Sequence, residues 1–201
     1  MQKQQQDRSL VLIKPDGVQR SLVGNIIQRF EQRGLKITAL KMCIPTQDQC
    51  ENHYYKDSVW YEEKGREIIL ELEKDNQPIE KTALEYGKTI IQNITRYLTG
   101  GPVVVLVLEG HAASSVVSAM VGGTEPAAAD VGTIRADFTI DSYYLSTRDK
   151  RAIRNVIHCS ENNQEADREI SIWFDSSELI DYTTAHERIL YDVSSNGHWL
   201  P

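Results

Sequence analysis

An unbroken run of apolar residues, Val103 to Leu108, constrains the fold more than any other stretch of this sequence. Such a run between turn residues is typical of a strand buried on both faces, at the centre of a sheet. Gly100, Gly101 and Pro102 precede it, so the strand has a sharply defined start. The run is far too short to cross a bilayer. The sequence therefore predicts a central strand covered on both sides, and no membrane span.

The segments around this strand alternate between strand and helix patterns. Ser9–Ile13 predicts a buried strand, and residues 22–30 place apolar side chains at helical spacing before Gly34. Residues 35–44 alternate as a strand whose phase shifts after Ala39, which indicates a bulge. Helices are favoured for residues 46–99, 116–120 and 161–173, and a last short strand for 155–158. This order predicts one α+β domain, a sandwich in which helices cover a sheet of about four strands.

The charge and the cysteines of the chain limit the classes of partner. The formal net charge is −7 at pH 7, which repels a phosphate backbone and argues against a nucleic-acid-binding surface. The polar N-terminus lacks the apolar stretch of a signal peptide, and Cys43, Cys50 and Cys159 lack metal-ligand spacing. We expect free thiols and a soluble, cytoplasmic protein without nucleic-acid or membrane partners.

Among the five histidines, His158 has the most suggestive surroundings. It closes a short apolar strand and precedes Ser160, a favourable N-cap for a helix whose leading amides would attract an anionic phosphate. Glu165 and Glu169 lie on one face of that helix, and either could orient the imidazole. A nucleophilic histidine needs one bare ring nitrogen and a partner for the other. A merely hydrogen-bonded histidine at a strand end, the commoner case, fits the same local pattern.

Several cations could bind phosphate near such a histidine. Lys14 ends the first predicted strand just before a Pro-Asp-Gly turn, and Arg135 follows a Gly-Thr-Ile segment. A basic cluster just upstream of His158 consists of Arg148, Lys150, Arg151 and Arg154. Each of these side chains could equally be a solvated surface charge. The remaining histidines show no comparable surroundings: His53, His111, His186 and His198.

Taken in order, five segments resemble nucleoside diphosphate kinases: SLVLIKPDGVQRSLVGNIIQRFEQRGLKITALKM, GGPVVVLVLEG, GTEPAAADVGTIRADF, RNVIHCSENNQEADREISIWF and ELIDY. The resemblance covers nearly all of residues 8–192, between a polar tail (1–7) and a C-terminal tail (193–201). Two stretches, about 62–93 and 139–150, look inserted relative to short family members, as in longer relatives. The resemblance implies a ferredoxin-like βαββαβ sandwich, a four-stranded antiparallel sheet covered by helices, assembled into a homo-hexamer or tetramer.

The resemblance also implies roles for individual residues. His158 would be the phosphorylated nucleophile, Glu169 its orienting carboxylate and Ser160 a supporting neighbour. Tyr54 matches a tyrosine close to the catalytic histidine, and Lys14 would serve both catalysis and nucleotide binding. The other implied nucleotide-binding residues are Thr124, Arg135 and Asn155, with either Trp60 or Tyr61 as the aromatic that stacks on the base.

The implied reaction is a ping-pong transfer of the γ-phosphoryl group from a nucleoside triphosphate such as ATP to a diphosphate such as GDP, through a phosphohistidine. Such transfer depends mostly on alignment and charge neutralisation, which explains the cations gathered around one histidine. Mg²⁺ is the implied cofactor, carried on the nucleotide phosphates, because no carboxylate cage is evident. We expect activity to fall once His158 is protonated, and little base specificity.

Two positions depart from the family pattern. Ser118 stands where the family has a phosphate-binding arginine, and losing such a charge-assisted contact costs about 1.5–3 kcal/mol. We expect an arginine from residues 148–154 to substitute for it. Cys159 replaces a small residue after the histidine, and we expect it to pack rather than to react.

Two alternative functions follow from these observations. Ser118 suggests a degenerate family member that binds nucleotide with weak or no turnover. An RNA-binding sheet of ferredoxin-like shape is disfavoured by the net charge of −7 and by the lack of an aromatic-rich RNP strand.

Overall fold

The computed structural model describes residues 6–191, so the start of the polar N-terminal tail, the predicted tail 193–201 and His198 lie outside it. The first half of the described chain contains β1 (Asp7–Ile13), α1 (Pro15–Gln19), α2 (Val23–Gln32), β2 (Lys36–Cys43), α3 (Gln47–His53), α4 (Ser58–Lys74) and α5 (Ala83–Thr99). The second half contains β3 (Val103–Gly110), α6 (Ala113–Val121), α7 (Ile134–Phe138), α8 (Tyr143–Arg148), β4 (Ile157–Cys159), α9 (Asn163–Trp173) and α10 (Ala185–Tyr191). Single 3-10 turns lie at Pro126–Ala128 and Ser176–Glu178.

The four strands form one sheet in the spatial order β2-β3-β1-β4, and every neighbouring pair is antiparallel. The predicted ferredoxin-like α+β fold is confirmed. The apolar run Val103–Leu108 forms most of β3, which lies between β2 and β1 and is buried along nearly its whole length. This central position is the one that the unbroken apolar pattern predicted.

Two hydrophobic cores lie on opposite faces of this sheet. Val11 and Ile13 of β1 pack into the first core with side chains of α2 and α6, whereas Leu10 and Leu12 pack into the second with α3, α5 and α9. Successive strand residues point to opposite faces, so β1 supplies both cores at once. The sheet therefore carries one layer of helices on each side.

The strand β2 contains the predicted irregularity. Its pairing with β3 shifts register between Ile37 and Ala39, so that Thr38 has no counterpart on β3. A bulge of this kind turns the following side chains to the other face. Leu40 and Met42 follow the bulge and are exposed on this edge strand.

The ends of two strands differ from the prediction. β1 begins at Asp7 rather than Ser9, because Asp7 still pairs with Gly110. β4 spans Ile157–Cys159 rather than 155–158, because Asn155 and Val156 form a turn before it. Both differences arise from pairing with a distant strand, which a local pattern does not report.

Side-chain caps fix where the helices around the sheet begin. Thr46 accepts a hydrogen bond from the backbone N–H of Gln49 at 3.2 Å, and the Gln49 side chain accepts one from the N–H of Thr46 at 3.0 Å. Thr82 and Glu85 repeat this capping box at the start of α5. No helix within residues 6–191 is long and apolar enough to cross a membrane.

The helices α4 and α5 form a hairpin whose two backbones approach closely at glycines. A methyl group at Gly65 of α4 would lie 1.7 Å from the carbonyl oxygen of Ala83. A methyl group at Gly87 of α5 would lie 2.0 Å from the carbonyl oxygen of Tyr61. Both neighbours are backbone atoms, which cannot rotate away as a side chain can. Residues 62–93, predicted to contain an insertion, lie within this hairpin.

We predict that Gly65→Ala separates the two helices and lowers the free energy of unfolding by about 1–3 kcal/mol, because overpacking forces a backbone shift. Chemical denaturation monitored by circular dichroism measures this change. Gly24→Ala in α2 is the matched control, since nothing lies within 4 Å of its added methyl group. There alanine stabilises the helix by up to roughly 1 kcal/mol. Equal effects of the two substitutions would contradict the close approach.

Candidate active site

His158 lies at the middle of β4, opposite Leu12 of β1, with 18% of its side chain exposed. Val156, two residues earlier, has a positive φ of 56°, and the N–H of Ile157 donates to the carbonyl of Asn155 at 2.7 Å. This γ-turn is a strained conformation for a β-branched residue. Such strain persists only where the surrounding structure imposes it, and it is common at functional sites.

The ring of His158 is oriented by Glu169 of α9. Its Nε2 lies 3.0 Å from the Glu169 Oε1, and the Ser160 hydroxyl donates to Oε2 of the same carboxylate at 2.6 Å. An ionised carboxylate only accepts hydrogen bonds, so the proton of a neutral His158 resides on Nε2. Nδ1 makes no hydrogen bond within the described chain and is the nitrogen available for nucleophilic attack.

The predicted role of Ser160 as N-cap of the next helix is wrong. The helix α9 begins at Asn163, and the Asn162 side chain caps it by accepting from the N–H of Glu165 at 2.9 Å. Ser160 is fully buried, and its hydroxyl is occupied by Glu169 and by the backbone of Leu10. The leading amides of α9 therefore start further from His158 than the sequence pattern indicated.

Three of the predicted nucleotide-binding residues form a chain of hydrogen bonds. The ammonium of Lys14 donates to Oδ1 of Asn155 at 2.7 Å, and Nδ2 of Asn155 donates to the carbonyl of Thr124 at 2.8 Å. The backbone N–H of Lys14 also donates to the carbonyl of Val156 at 2.8 Å. The strained turn, the lysine and the Thr124 loop are thus held together beside β4.

Arg135 of α7 is buried and fixed by backbone carbonyls. Its guanidinium donates to Gly122 at 2.8 Å and to Ile157 at 2.9 Å, while its Nε has no partner among the described residues. Burial lowers the pKa of Arg135, and the thiol of Cys159 partly opposes this effect. The arginine is therefore anchored beside the strand that carries His158.

Burial and neighbouring cations set the protonation of the site. The pKa of His158 is lowered well below 6.5, first by burial and then by the charges of Lys14 and Arg135. Burial and Arg135 lower the pKa of Lys14 to about 7. At neutral pH, His158 is consequently the unprotonated base that a nucleophile must be.

Tyr54 and His53 surround the other side of the imidazole. The ring centroid of Tyr54 is 5.5 Å from that of His158, burial raises the pKa of its phenol, and its hydroxyl has no partner among residues 6–191. His53 lies closer, at 4.5 Å between ring centroids, and is buried. The structure thus places His53 beside His158, although its local sequence surroundings are not comparable to those of His158. The adjacent Tyr54 was the signal that could have identified it.

The two aromatic candidates for stacking on a base occupy the first turn of α4. The Trp60 and Tyr61 rings meet edge to face, with centroids 5.6 Å apart, and the N–H of Trp60 is capped by Asp57. Both side chains are half-buried. The choice between them stays a prediction.

For Arg148 and Arg151, the hypothesis that an arginine of residues 148–154 replaces the arginine missing at Ser118 gains no support, whereas the charge of Arg154 is among those that lower the pKa of Lys14. Ser118 is exposed on α6. Arg151 forms a bidentate pair with Asp141 at 2.5 and 2.9 Å, and Arg148 pairs with Asp149. Lys150, Arg151 and Arg154 line a cleft of about 350 Å³ together with residues of α1 and α5. The further cations whose charges lower the pKa of His158 are Lys56 and Arg168.

Cys159 behaves as a packing residue. Its side chain is half-buried against the first core, and burial raises the pKa of the thiol to about 11. A protonated thiol is a poor nucleophile and oxidises slowly. This agrees with the expectation that Cys159 packs rather than reacts.

Within residues 6–191, one group of side chains has metal-ligand spacing: His53, His158 and Glu169, whose ligand atoms lie within 4.8 Å of one another. Two nitrogen ligands do not suit Mg²⁺, which requires oxygen. A magnesium ion at this site would therefore have to be held by the phosphates of a bound nucleotide rather than by the protein.

The fold and this constellation match a family of known enzymes. The profile described as Nucleoside diphosphate kinase matches residues 7–68 and 74–179. The nucleoside diphosphate kinase of Pyrobaculum aerophilum is 38% identical over 180 residues, which are 87% of this chain and 98% of the relative. That of Archaeoglobus fulgidus is 38% identical over 186 residues, covering 92% and 98%.

Solved structures lead to the same family. The crystal structure of an NDP kinase from Pyrobaculum aerophilum has a TM-score of 0.83 at 36% identity and covers 88% of this chain and 100% of that one. A transition-state mimic of the nucleoside-diphosphate kinase from Borrelia burgdorferi, with bound vanadate and ADP, has a TM-score of 0.74 at 32% identity. It covers 90% of this chain and 95% of that one. This chain therefore belongs to the nucleoside diphosphate kinase family.

Proposed function

We propose that this member of the family transfers the γ-phosphoryl group of a nucleoside triphosphate to a nucleoside diphosphate through a phosphohistidine at His158. The observation that carries the proposal is the hydrogen bond of 3.0 Å between His158 Nε2 and Glu169, which leaves Nδ1 bare. A lone pair on a buried, neutral imidazole is the nucleophile that such a transfer requires.

In the proposed first step, Nδ1 attacks the γ-phosphorus, the bond from phosphorus to the bridging oxygen breaks, and the diphosphate leaves. The imidazole gains positive character during the attack, which Glu169 stabilises through the Nε2 proton. Lys14 and Arg135 neutralise phosphate charge, and Asn155 holds the lysine in place. A second diphosphate then takes the phosphoryl group by the reverse route, which regenerates free His158.

Magnesium belongs to the substrate in this scheme. Mg²⁺ on the nucleotide phosphates supplies further charge neutralisation, and the nitrogen-rich group around His158 does not provide the oxygen ligands that it prefers. Thr124, with Trp60 or Tyr61, completes the nucleotide site, and Tyr54 lines it beside His158. Base stacking of this kind tolerates different nucleotides.

A degenerate member without turnover is not favoured. Ser118 removes one expected phosphate contact, but the His158–Glu169–Ser160 hydrogen bonds are complete and Lys14 is positioned by Asn155. The named relatives cover nearly the whole described chain at up to 38% identity. Weakened phosphate binding is compatible with turnover through an intact nucleophile.

We predict that incubation with ATP and Mg²⁺ adds the mass of one phosphoryl group to the wild type and nothing to His158→Ala, as read by intact-protein mass spectrometry. Transfer from ATP to GDP should fall roughly a thousandfold or more in His158→Ala, because the nucleophile is lost. His111→Ala, at an exposed position on a loop, is the matched control. Equal labelling of wild type and His158→Ala would refute the assignment.

The pKa shifts predict an asymmetric pH profile for kcat/KM, which reports the free enzyme. On the acid side, kcat/KM should still be level at pH 6.5 and fall only at a lower pH, because the lowered pKa keeps His158 unprotonated. On the alkaline side it should fall above about pH 7, because Lys14 loses its charge. Lys14→Arg should extend the plateau upward, since arginine remains charged. Lys41→Arg on the edge strand is the control. If Lys14→Arg leaves the alkaline fall of kcat/KM unchanged, the loss of charge on Lys14 does not cause it.

We further propose a cytoplasmic homo-oligomer, a hexamer or tetramer, assembled through the edge strand β2. The three cysteines are free, which is typical of a reducing compartment. Leu40 is 50% exposed, Met42 60% and the following Ile44 68%, on a strand with an open edge. Natural proteins cover such edges, and an apolar one is best covered by another copy of the chain.

We predict that the double substitution Leu40→Glu, Met42→Glu disrupts the interface at β2, because two like charges would be buried side by side. Sedimentation velocity should show a particle smaller than the wild-type oligomer, because a two-fold contact at β2 joins only pairs of chains. Leu70→Glu, at a similarly exposed position on α4, should leave the oligomer intact. An unaltered oligomer in the double variant would exclude β2 as the interface.

A further inference from the structure

We propose that His53 is a positioning residue for the reaction: its Nε2 lies 3.8 Å from Oε1 of Glu169, and its N–H steadies that carboxylate, by a bond that closes during the reaction, in the orientation that accepts from His158. This inference rests on the proposed role of His158 as nucleophile. It adds a second imidazole to the site, one that never contacts the phosphoryl group and acts only through Glu169.

The indole of Trp173 fixes which nitrogen of His53 carries the proton. Its Nε1–H donates to Nδ1 of His53 at 3.2 Å. An indole nitrogen can only donate, so Nδ1 must accept through its lone pair. Burial lowers the pKa of His53 well below 6.5, so the ring is neutral and its single proton resides on Nε2. His53 therefore presents an N–H, not a lone pair, to the rest of the site.

The N–H of His53 lies just beyond hydrogen-bonding distance of a Glu169 oxygen. Nε2 of His53 is buried and makes no hydrogen bond among the described residues, and it lies 3.8 Å from Oε1 of Glu169. That separation exceeds a hydrogen bond, so in this state the N–H acts on the carboxylate as a nearby dipole. A movement of roughly 0.6–1 Å closes the bond. Oε1 would then accept from His53 and His158 together, while Oε2 accepts from Ser160.

The placement of His53 relative to Glu169 is set by a single helix. Arg168 of α9 donates to the carbonyls of Asn52 and His53 at 2.9 and 3.0 Å, and Trp173 of α9 contacts the ring. Glu169 lies on the same helix between these two residues. The helix α9, which carries Glu169, thus contacts both the backbone and the ring of His53 at the end of α3. His53 and Glu169 therefore keep a fixed position relative to each other, which a positioning residue requires.

The same atoms could be taken for a metal site, since His53, His158 and Glu169 have suitable spacing. The tautomer argues against that interpretation. A metal needs the lone pair of a deprotonated ring nitrogen, but in His53 one nitrogen accepts from Trp173 and the other carries the proton. The spacing suits a shared carboxylate with two N–H donors better than a bound cation.

The consequence for the reaction follows from the charge on Glu169. Burial raises the pKa of this carboxyl, and the hydrogen bond from Ser160 opposes that shift, as the N–H dipole of a neutral His53 does. Removing the donor therefore favours the protonated carboxyl, which no longer stabilises positive charge on His158. The charged and titratable groups that face this carboxylate from the surrounding elements are His53, Tyr54, His158, Cys159, Glu165 and Arg168.

The test compares His53→Leu, which removes the donor, with His53→Gln, whose amide nitrogen can reach the position of Nε2. Stopped-flow phosphorylation by ATP should slow roughly 10- to 150-fold in His53→Leu, the loss expected for a hydrogen bond to a charged group, with KM unchanged. The acid limb of the rate should move to higher pH, because Glu169 takes up a proton earlier. His53→Gln should recover most of the rate and the wild-type limb.

Measurements that do not depend on turnover separate this inference from the proposed function. Nitrogen-15 NMR of wild type should show a protonated Nε2 and a bare Nδ1 on His53, and Trp173→Phe should weaken that preference. Carbon-13 NMR should show a higher pKa for Glu169 in His53→Leu than in wild type. A proton on Nδ1, or an unchanged Glu169 titration, overturns the inference even if wild type is phosphorylated. Failure of wild type to form an adduct would instead defeat the proposed function.

Discussion

The site depends on the hydrogen bond between His158 and Glu169, which joins the shortest strand of the sheet to the helix that follows it. That bond decides which ring nitrogen is bare, and therefore whether the imidazole can act as a nucleophile at all. Its geometry requires β4 to stay in register with β1 and α9 to stay packed on the second core, where Trp173 and Ile170 are buried. The two hydrophobic cores thus support the chemistry as well as the stability of the fold.

Much of the architecture could be predicted because its signals are local. The apolar run of β3, the shifted alternation of β2 and the helical spacing of α5 each report burial within a few residues of sequence. His158 and Lys14 could be singled out because each lies in or beside a short strand next to a turn, whereas Asn155 was implied by the family resemblance. In a sheet whose strand order is known, such ends meet at the same place.

The features that the sequence did not reveal arise from contacts between distant segments. Ser160 has the chemistry of a helix cap, yet Glu169 and Leu10 occupy its hydroxyl, and Asn162 caps the helix instead. His53 ends α3, which is far from β4 in sequence and joins the site because α9 packs against it. The basic residues Arg148 and Arg151 were plausible phosphate ligands by proximity in sequence, but each is paired with a carboxylate. The local sequence does not show which hydrogen-bonding or charged group from a distant segment will contact a given side chain.

Burial of Lys14 couples nucleotide binding to the uptake of protons from the solution. With a pKa of about 7 in the free protein, this amine is only partly charged near neutrality. An anionic phosphate beside it restores the charge, so the complex takes up a fraction of a proton from the buffer as it forms. The heat of association would then vary with the ionisation enthalpy of the buffer, and the apparent affinity for nucleotide would shift when a cell becomes more acidic or more alkaline.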